Sequence, residues 1–496
     1  MSKAKGKTRA KGNGKDATIL WFRADLRLAD NPALLAAVSR GGPVAPVFIW
    51  SPDEEGDWRP GAASNWWLHQ SLSALARDLE AKGSRLVIRR GPTGEALTRL
   101  VKETNARAVF WNRRYEPDVR ERDEELASML GSEGVEVATF NAALLAEPGE
   151  IETKQGKPFR VFTPFWKACL NHEAPDEPLE APRRIRRLEK RVDSLLVESL
   201  ELEPKIDWAA GIRAAWTPGE SGAWDRLTAF LDGAIGEYDE ERDRPDHDGT
   251  SRLSPHLHFG EISPRQVWHA VQSGAGVGRT GRTERSSEAF LRQLYWREFA
   301  YHLLYHEPQT TDRPLRPEFA GFPWASDKKA LRAWQRGRTG FPYIDAGMRQ
   351  LWTTGWMHNR VRMAVASFLV KDLLLPWQEG AKWFWDTLVD ADLANNTLGW
   401  QWTAGCGADA APYFRVFNPM TQGERFDPDG AYVREWVPEV AALPGKYVHR
   451  PWEAPKDVLE EAGIVLGETY PQPMVDHRQA RQAALAAFET LKRGAE

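Results

Sequence analysis

The chain changes its periodicity near residue 145, and this change constrains the fold more than any other feature. Before it, five short apolar and β-rich runs alternate with longer stretches of helical spacing. Strands that alternate with helices predict a parallel sheet covered on both faces. We predict strands in ATILWF (17–22), PVAPVFIW (43–50), SRLVIRR (84–90), ARAVFWN (106–112) and VEVATF (135–140), and helices over 62–82, 93–104 and 118–131.

The chain divides into segments of different composition. Residues 1–16 are basic and nearly free of apolar side chains, which is typical of a disordered tail. Residues 17–145 carry the alternating pattern, and 146–215, rich in Pro, Glu and Arg, form a connector. Helical spacing dominates 216–491, and 492–496 form a second short tail. We therefore predict a Rossmann-like α/β domain with a five-stranded parallel sheet, followed by an all-α domain.

Composition excludes several classes of protein. The two cysteines, Cys169 and Cys406, lie far apart and outside any cluster, so we expect neither a metal site nor a disulfide framework. No apolar run approaches the roughly 18 residues of a membrane helix, and the N-terminus lacks a signal peptide's apolar core, which predicts a cytoplasmic protein. The net charge of −4 leaves DNA open as a partner, because a DNA-binding protein needs only one basic face.

The segment Gly249–Pro255 has the composition of a phosphate-binding helix start. Ser254 followed by Pro255 predicts a helix with serine as its cap and proline at its first position. Hydroxyl groups and Arg252 precede this start, and free backbone N–H groups there can bind a pyrophosphate. No G-x-G-x-x-G fingerprint follows the first strand, so any flavin site should lie elsewhere in the chain.

The run Trp356–Met363 opens a predicted helix. At about 100° per residue, Arg360 and Arg362 point in roughly opposite directions, whereas Asn359 and Met363 share a face. One arginine can then face an internal acid while the other meets an external phosphate. An amphipathic helix with two solvated arginines gives the same pattern.

Two further clusters combine aromatic and polar side chains. Val389–Trp402 holds two acids, two asparagines and two tryptophans among apolar residues, and buried polar groups must find partners. A polar cofactor or an ion pair is therefore expected there. Gln293 and Trp296 lie three apart on one predicted helical face, which suits a flat hydrogen-bonding ligand such as a base. Amphipathic packing accounts for this pair equally well.

These motifs, in this order, resemble the photolyase–cryptochrome family over residues 17 to 491. WFRADLRLADNPAL resembles the family's opening strand and helix. Its flavin domain is matched by GTSRLSPHLHFGEISPRQ, WREF, GWMHNRVRM, DADLANNTLGWQW, GADAAPYFRVFNP and YPQPMVDHRQAR.

The resemblance implies FAD in a folded conformation inside the helical domain. Asn396 matches the residue that faces flavin N5, where plant cryptochromes typically have aspartate; a neutral partner there helps to retain a reduced, anionic flavin. Trp400, Trp377 and Trp324 match the family's electron-transfer chain from flavin to surface. The other matched cofactor-binding positions are Tyr238, Thr250, Ser251, Arg252, Leu253, Ser254, Arg362, Asp390, Ala391 and Asp392.

The resemblance also implies a pocket for a flipped-out DNA lesion. Trp296 and Trp402 match its aromatic walls. Cyclobutane-dimer photolyases usually carry glutamate at the position of Gln293, and we hypothesise that the amide weakens or alters lesion recognition. The remaining matched positions comprise the rim (Asn359, Arg360, Met363), the phosphate contacts (Arg242, Arg415) and Arg297 of the WREF motif.

An antenna chromophore is expected against the N-terminal domain. The segments ASNWWLH and NRRYE resemble those of the bacterial class III branch, which typically uses methenyltetrahydrofolate. Trp66, Trp67, Asn112 and Glu116 are its candidate contacts, although helix packing accounts for the Trp66–Trp67 pair nearly as well. Absence of an antenna and a deazaflavin are the second and third alternatives.

The function implied is light-driven repair of cyclobutane pyrimidine dimers in DNA by a protein that is expected to be monomeric. A cryptochrome-type blue-light receptor is the main alternative, followed by a flavin oxidoreductase acting on small substrates and then by a (6-4) photolyase, which only Gln293 favours. Asn396 favours repair over signalling. Asn359 favours the cyclobutane dimer, because (6-4) photolyases typically have a second histidine there.

Overall fold

The computed structural model describes residues 16–274, 281–410 and 415–494. All five predicted strands are present and parallel: β1 (Thr18–Phe22), β2 (Val44–Trp50), β3 (Val87–Arg90), β4 (Ala108–Asn112) and β5 (Glu136–Phe140). Their order in the sheet is β3-β2-β1-β4-β5. Strands β1, β2 and β4 are buried along their whole length, which explains their continuous apolar sequences.

Helices make up most of the remaining described chain. The N-terminal half contains α1 (Pro32–Ser39), α2 (Ala62–Ala81), α3 (Thr93–Thr104), α4 (Pro117–Ser132), α5 (Phe162–Leu170), α6 (Ala210–Ala215), α7 (Glu220–Asp232), α8 (Tyr238–Glu241), α9 (Ser254–His258) and α10 (Pro264–Gly274). The C-terminal half contains α11 (Gly281–His306), α12 (Lys328–Gln335), α13 (Pro342–Thr354), α14 (Asn359–Ser367), α15 (Trp377–Thr387), α16 (Leu393–Ala404), α17 (Pro419–Phe426), α18 (Ala431–Trp436), α19 (Gly445–Val448), α20 (Lys456–Glu461) and α21 (His477–Gly494).

The two predicted tails, 1–16 and 492–496, can be compared with the structure only in part. Residues 1–15 and 495–496 lie outside the described residues. Helix α21 continues to Gly494, so the helical domain extends past residue 491, where we placed its end. No helix in the described ranges has the length and hydropathy needed to cross a membrane.

The connector 146–215 contains more regular structure than its composition indicates. It includes α5 and α6, and α5 packs on α11 through Phe162 and Phe165. A nine-residue helix has too few turns for its periodicity to be seen against a Pro- and Glu-rich background. Farther along, the N–H of Leu195 donates to Ile88 O (3.0 Å), so the connector also covers the edge of β3.

The α/β and helical domains meet through buried polar contacts. Asp30, wholly buried, accepts bonds from Arg265 (2.8 and 3.1 Å), and Arg27 donates to Gly260 O (2.9 Å). Gly260 has φ +64, and a Cβ there would lie 2.2 Å from Ala24 O. Only glycine therefore permits this approach of the two backbones.

Candidate functional site

The two acids of the Val389–Trp402 run stand at the start of α16. Asp390 is 8% exposed. Its Oδ2 and Oδ1 atoms both accept a hydrogen bond from Nη2 of Arg362 in α14, at 2.8 and 3.1 Å. Arg362 Nε also donates to Met357 O at 2.7 Å, which fixes the direction of the guanidinium. The expected ion pair is therefore present.

Asp392 is the second acid and caps α16, because its carboxylate accepts the N–H of Asn395 (2.8 Å). Its other partners are the hydroxyl of Tyr301 and His258 Nδ1, 3.8 Å away. Burial raises the pKa of Asp392, but the neighbouring His258, the charge of Arg297 and the hydroxyl of Tyr301 together outweigh burial and hold this pKa well below its usual range. Asp392 is thus an anion inside the protein, held by α9, α11 and α16 together.

The predicted phosphate-binding loop lies beside this acid cluster. The guanidinium groups of Arg252 and Arg362 lie 5.1 and 6.0 Å from the ring centre of Trp356. Arg252 has φ 48 and forms an ion pair with Asp248 (3.1 Å). The loop therefore presents one cation, Arg252, on the same tryptophan ring as Arg362 of the Arg362–Asp390 pair.

The helix after this loop differs from our prediction in one respect. Helix α9 begins at Ser254 itself, whose side chain makes no capping bond, and Pro255 is the second helical residue. Helix α9 has only five residues, so its dipole contributes little to anion binding. Thr250 and Ser251 are half-buried and Leu253 is buried, so the two hydroxyls and Arg252 are the candidate phosphate donors of this loop.

Among the described residues, two of the buried donors without a partner stand on α16 or directly before α14. They are Nε2 of His358 and Nε1 of Trp400. Nδ1 of His358 accepts the N–H of Arg360 (3.2 Å), and burial lowers the pKa of His358 to about 4, so the ring is neutral with its proton on Nε2. Unpaired buried donors together with carboxylates, hydroxyls and cations suit a large polar cofactor. The donor set thus fits FAD.

The tryptophans of the predicted electron-transfer chain share one hydrophobic core. Trp400 and Trp377 are each 2% exposed, and Trp324 is half-buried at the edge of the same cluster. A Cβ on Gly380 would lie 2.0 Å from the Trp400 ring, so α15 and α16 are in contact there. Asn396 Nδ2 donates to Ala381 O (3.1 Å) in the same helix pair.

Trp296 and Trp402 project from the packed helices α11 and α16, and both are half-buried. Trp296 is stacked on Phe162 with ring centres 3.7 Å apart. Gln293 donates to Ala289 O of its own helix (3.0 Å). The aromatic walls of the predicted lesion pocket thus keep accessible surface.

The rim residues follow the predicted helical geometry. Asn359 is exposed and its amide lies 3.9 Å from the sulfur of Met363. Arg360 points away from Arg362 but pairs with Asp243 at 2.7 Å. Its charge therefore already has a carboxylate partner, which the sequence does not reveal.

Of the remaining predicted DNA contacts, two are accessible and one is not. Arg415 is exposed and Arg242 half-buried, with its guanidinium 5.6 Å from the ring centre of Tyr238, itself 7% exposed. Arg297 is 9% exposed and donates to Ala143 O (2.7 Å). The prediction that Arg297 contacts DNA is wrong in this structure, because its side chain points inward to Ala143 O and helps to neutralise Asp392.

The comparisons with known proteins agree with this geometry. Residues 18–183 match the DNA photolyase family, and residues 290–490 match the FAD binding domain of DNA photolyase. A deoxyribodipyrimidine photo-lyase of Agrobacterium fabrum is 50% identical over 476 residues, covering 96% of this chain and 98% of that protein. The chain belongs to the DNA photolyase and cryptochrome family.

Two other members indicate where in the photolyase and cryptochrome family the chain stands. The crystal structure of a class III photolyase from Agrobacterium tumefaciens matches with a TM-score of 0.93 at 49% identity, covering 98% of this chain and 100% of that one. Cryptochrome-1 of Arabidopsis thaliana is 43% identical, covering 94% of this chain and 69% of that protein. The predicted family, its class III branch and the two-domain fold are confirmed.

Three of the four predicted antenna contacts cannot reach a ligand in this member of the photolyase family. Trp66 and Trp67 are 1% and 0% exposed in the core beneath the sheet, and Trp67 Nε1 donates to Glu261 (3.0 Å). Asn112 is buried and donates to Asp25 (2.6 Å). These predictions are wrong because tryptophans that pack a helix onto a sheet have the same sequence pattern as a stacking site.

The fourth candidate, Glu116, lies at a small opening between the domains, with a cavity volume of about 50 Å³. Arg114 bonds Glu116 (2.9 Å) and Glu55 (2.7 Å). The walls are Trp58 and Trp385, whose ring centres are 5.2 Å apart at 75°. Sequence reasoning missed these partners, because only the fold brings residues 55, 114 and 385 together.

Glu298 gives this photolyase-family fold a titratable core group near the site. It is 6% exposed and accepts the N–H of Leu145 (3.0 Å), and burial raises its pKa to about 7. The folded state binds this proton more tightly than the unfolded state, so stability is lost as the pH rises from about 4.5 to 7. At pH 8 the free energy of unfolding of Glu298→Gln should exceed that of the parent. From pH 5 to pH 8 this advantage of the variant should grow by up to about 3 kcal/mol.

Denaturant unfolding at the two pH values measures this difference. Glu288→Gln, at an exposed position of the same helix, is the control and should show no pH-dependent gain. A Glu298→Gln gain that is equal at both pH values would contradict the prediction.

Proposed function

We propose that this protein is a cyclobutane pyrimidine dimer photolyase that repairs DNA with light and reduced FAD. The observation that carries the proposal is the arrangement of α11, α14 and α16. On the inside, these helices hold the Arg362–Asp390 pair and Asp392, a donor set that fits FAD. On the outside, they present the half-buried Trp296 and Trp402, which suit a flat substrate.

Different residues of the chain would hold different groups of the flavin cofactor. Arg252, Thr250 and Ser251 supply donors for the pyrophosphate, and the two anions, Asp390 and Asp392, supply acceptors for hydroxyl and N–H groups. Leu253, Ser254, Ala391 and Tyr238 complete the set. When bound and reduced, the flavin supplies the electron that opens the cyclobutane ring.

The DNA side requires the damaged nucleotides to leave the helix. Photolyases are among the enzymes that act on nucleotides flipped out of the stack. Trp296 and Trp402 then receive the apolar faces of the dimer, and the rim residues Asn359 and Met363 border it. Arg242, Arg360 and Arg415 supply cations for the phosphates, Arg360 after exchanging Asp243 for the DNA backbone.

Asn396 separates repair from the cryptochrome alternative. Its amide is neutral and is held by Ala381 O (3.1 Å), so it adds no negative charge next to a reduced flavin. An aspartate there would oppose the anionic reduced form by like-charge repulsion. Asn396 therefore favours a flavin site that donates an electron to a substrate over one that signals.

The tryptophan chain gives a prediction about light-driven reduction of the flavin. Gly380→Ala places a methyl group against the Trp400 ring and should cost about 1–3 kcal/mol of stability. Because Trp400 must move, we also expect slower photoreduction, measured as bleaching of oxidised flavin under blue light. Gly399→Ala, at an open position one residue before Trp400, is the control and should leave photoreduction unchanged. Equal photoreduction in the two variants would contradict the expected coupling.

We further propose that an antenna, methenyltetrahydrofolate ahead of deazaflavin, binds at the opening lined by Glu116, Trp58 and Trp385. Flat heterocycles stack on tryptophan, and carboxylates accept their N–H groups. The charge network of Arg114 with Glu55 and Glu116 holds these carboxylates in place.

Repair of UV-irradiated oligothymidine tests the proposed function. The reduced holoprotein should remove dimers under blue light and leave them intact in the dark. Bound, fully reduced FAD without light-dependent loss of dimers would contradict dimer repair. Removal of (6-4) lesions instead would move the protein to the other photolyase class.

A further inference from the structure

One face of the Trp296 ring is covered by a residue of the connector. Phe162, the first residue of α5, lies nearly parallel to the indole, with ring centres 3.7 Å apart and planes inclined by 8°. Phe162 is fully buried, whereas Trp296 is half-buried. The phenyl ring therefore backs the indole, and the accessible part of Trp296 is directed elsewhere.

Phe162 is itself fixed by three separate parts of the chain. Its ring shares a hydrophobic cluster with Ala408, in the loop after α16. Arg292 of α11 lies 5.4 Å from its ring and 4.7 Å from that of Trp166 on the next turn of α5. Trp166 and Phe162 are parallel within 3°. The backing ring is thus held by the connector, α11 and the segment that follows α16.

We propose that Phe162 is a positioning residue for lesion recognition, which sets the plane of the Trp296 ring before a dimer arrives. This inference rests on the proposed function, in which Trp296 is a wall of the lesion pocket. Stacking needs a defined ring plane, and a side chain that is already ordered loses less conformational entropy on binding. An aliphatic residue at position 162 would fill part of the volume but would not keep the indole parallel to a fixed plane.

The test compares binding of dimer-containing and undamaged oligothymidine in the dark. In Phe162→Leu, we expect about two- to twelvefold weaker binding to the damaged strand, the range given by loss of one aromatic pair. Binding to the undamaged strand and the absorption spectrum of the bound flavin should not change, because Phe162 contacts Trp296 rather than the acid cluster.

Phe165→Leu is the matched control. Phe165 lies on the same helix, is 2% exposed, and packs on Phe299 (5.2 Å) and His302 (5.0 Å). Both variants remove one buried ring from the same hydrophobic cluster, so both should lose stability. Only Phe162→Leu should lose affinity for the dimer. Equal dimer affinities in the two variants would overturn the proposal.

Two further results complete the design. If Phe162→Leu does not fold, Trp166→Leu, which removes the ring that lies parallel to Phe162 on the same helix, takes its place, and unchanged dimer affinity in it would overturn the proposal. A parent protein that binds damaged and undamaged strands equally would instead contradict the proposed function. The two failures are therefore distinguishable.

Discussion

Arg362→Ala should abolish stable FAD binding and lower the free energy of unfolding of the apoprotein by about 3–5 kcal/mol. Asp390 is 8% exposed, and both of its carboxylate oxygens accept a hydrogen bond from this arginine. Without it, a carboxylate remains inside the protein with no cation to compensate its desolvation. Denaturant unfolding of the apoprotein and flavin absorbance after gel filtration measure the two effects.

Arg360→Ala is the control for this prediction. Arg360 stands two residues earlier on the same helix, and its partner Asp243 is more exposed than Asp390, so the pair should contribute no more than about 1 kcal/mol. Arg360→Ala should keep its flavin. Adding Asp390→Asn to Arg362→Ala removes the unpaired charge and should recover part of the stability. Equal losses in the two single variants would show that the Arg362–Asp390 pair is not a buried anchor.

The sequence predicts local geometry around the site well. The opposite directions of Arg360 and Arg362, and the shared face of Asn359 and Met363, follow from the angle between helical residues and are present in the structure. The five strands were predicted because buried parallel strands are continuous apolar runs. Such features depend only on neighbours a few residues apart.

What the sequence does not predict depends on contacts between distant residues. The partners of Asp392, Tyr301 and His258, lie on other helices, and no local pattern marks either of them. The inward direction of Arg297 has the same origin, since WREF gives no sign that Ala143 O lies beneath it. Burial of a side chain is a property of the assembled domains. The family resemblance therefore indicates which residues match the site, but not how exposed their side chains are.

Helix α5 shows how one unpredicted element changes the interpretation of the site. The sequence treats residues 146–215 as a connector, yet α5 supplies Phe162, which backs Trp296. The proposed lesion pocket is therefore built from the connector as well as from the helical domain. Substitutions in a segment that resembles a linker are then expected to act on lesion recognition.

Trp296→Ala should weaken binding of a dimer-containing strand by about five- to 150-fold, because stacking on an aromatic side chain contributes about 1–3 kcal/mol per base. The flavin should remain bound, since Trp296 faces Phe162 and the surface rather than the Arg362–Asp390 pair. Dark binding to irradiated oligothymidine measures the loss, and repair at saturating substrate separates binding from electron transfer.

Trp352→Ala is the control for Trp296→Ala. Trp352 is 60% exposed on α13 and stacks on Trp383, with ring centres 6.0 Å apart. The substitution therefore removes an accessible indole that belongs to no part of the proposed site. Dimer affinity in this variant should equal that of the parent. If both variants weaken dimer binding alike, the indoles act through general surface properties, and Trp296 is not a wall of the pocket. If only Trp296→Ala does so while undamaged strands bind as before, the flat surface between α11 and α16 recognises the lesion by stacking.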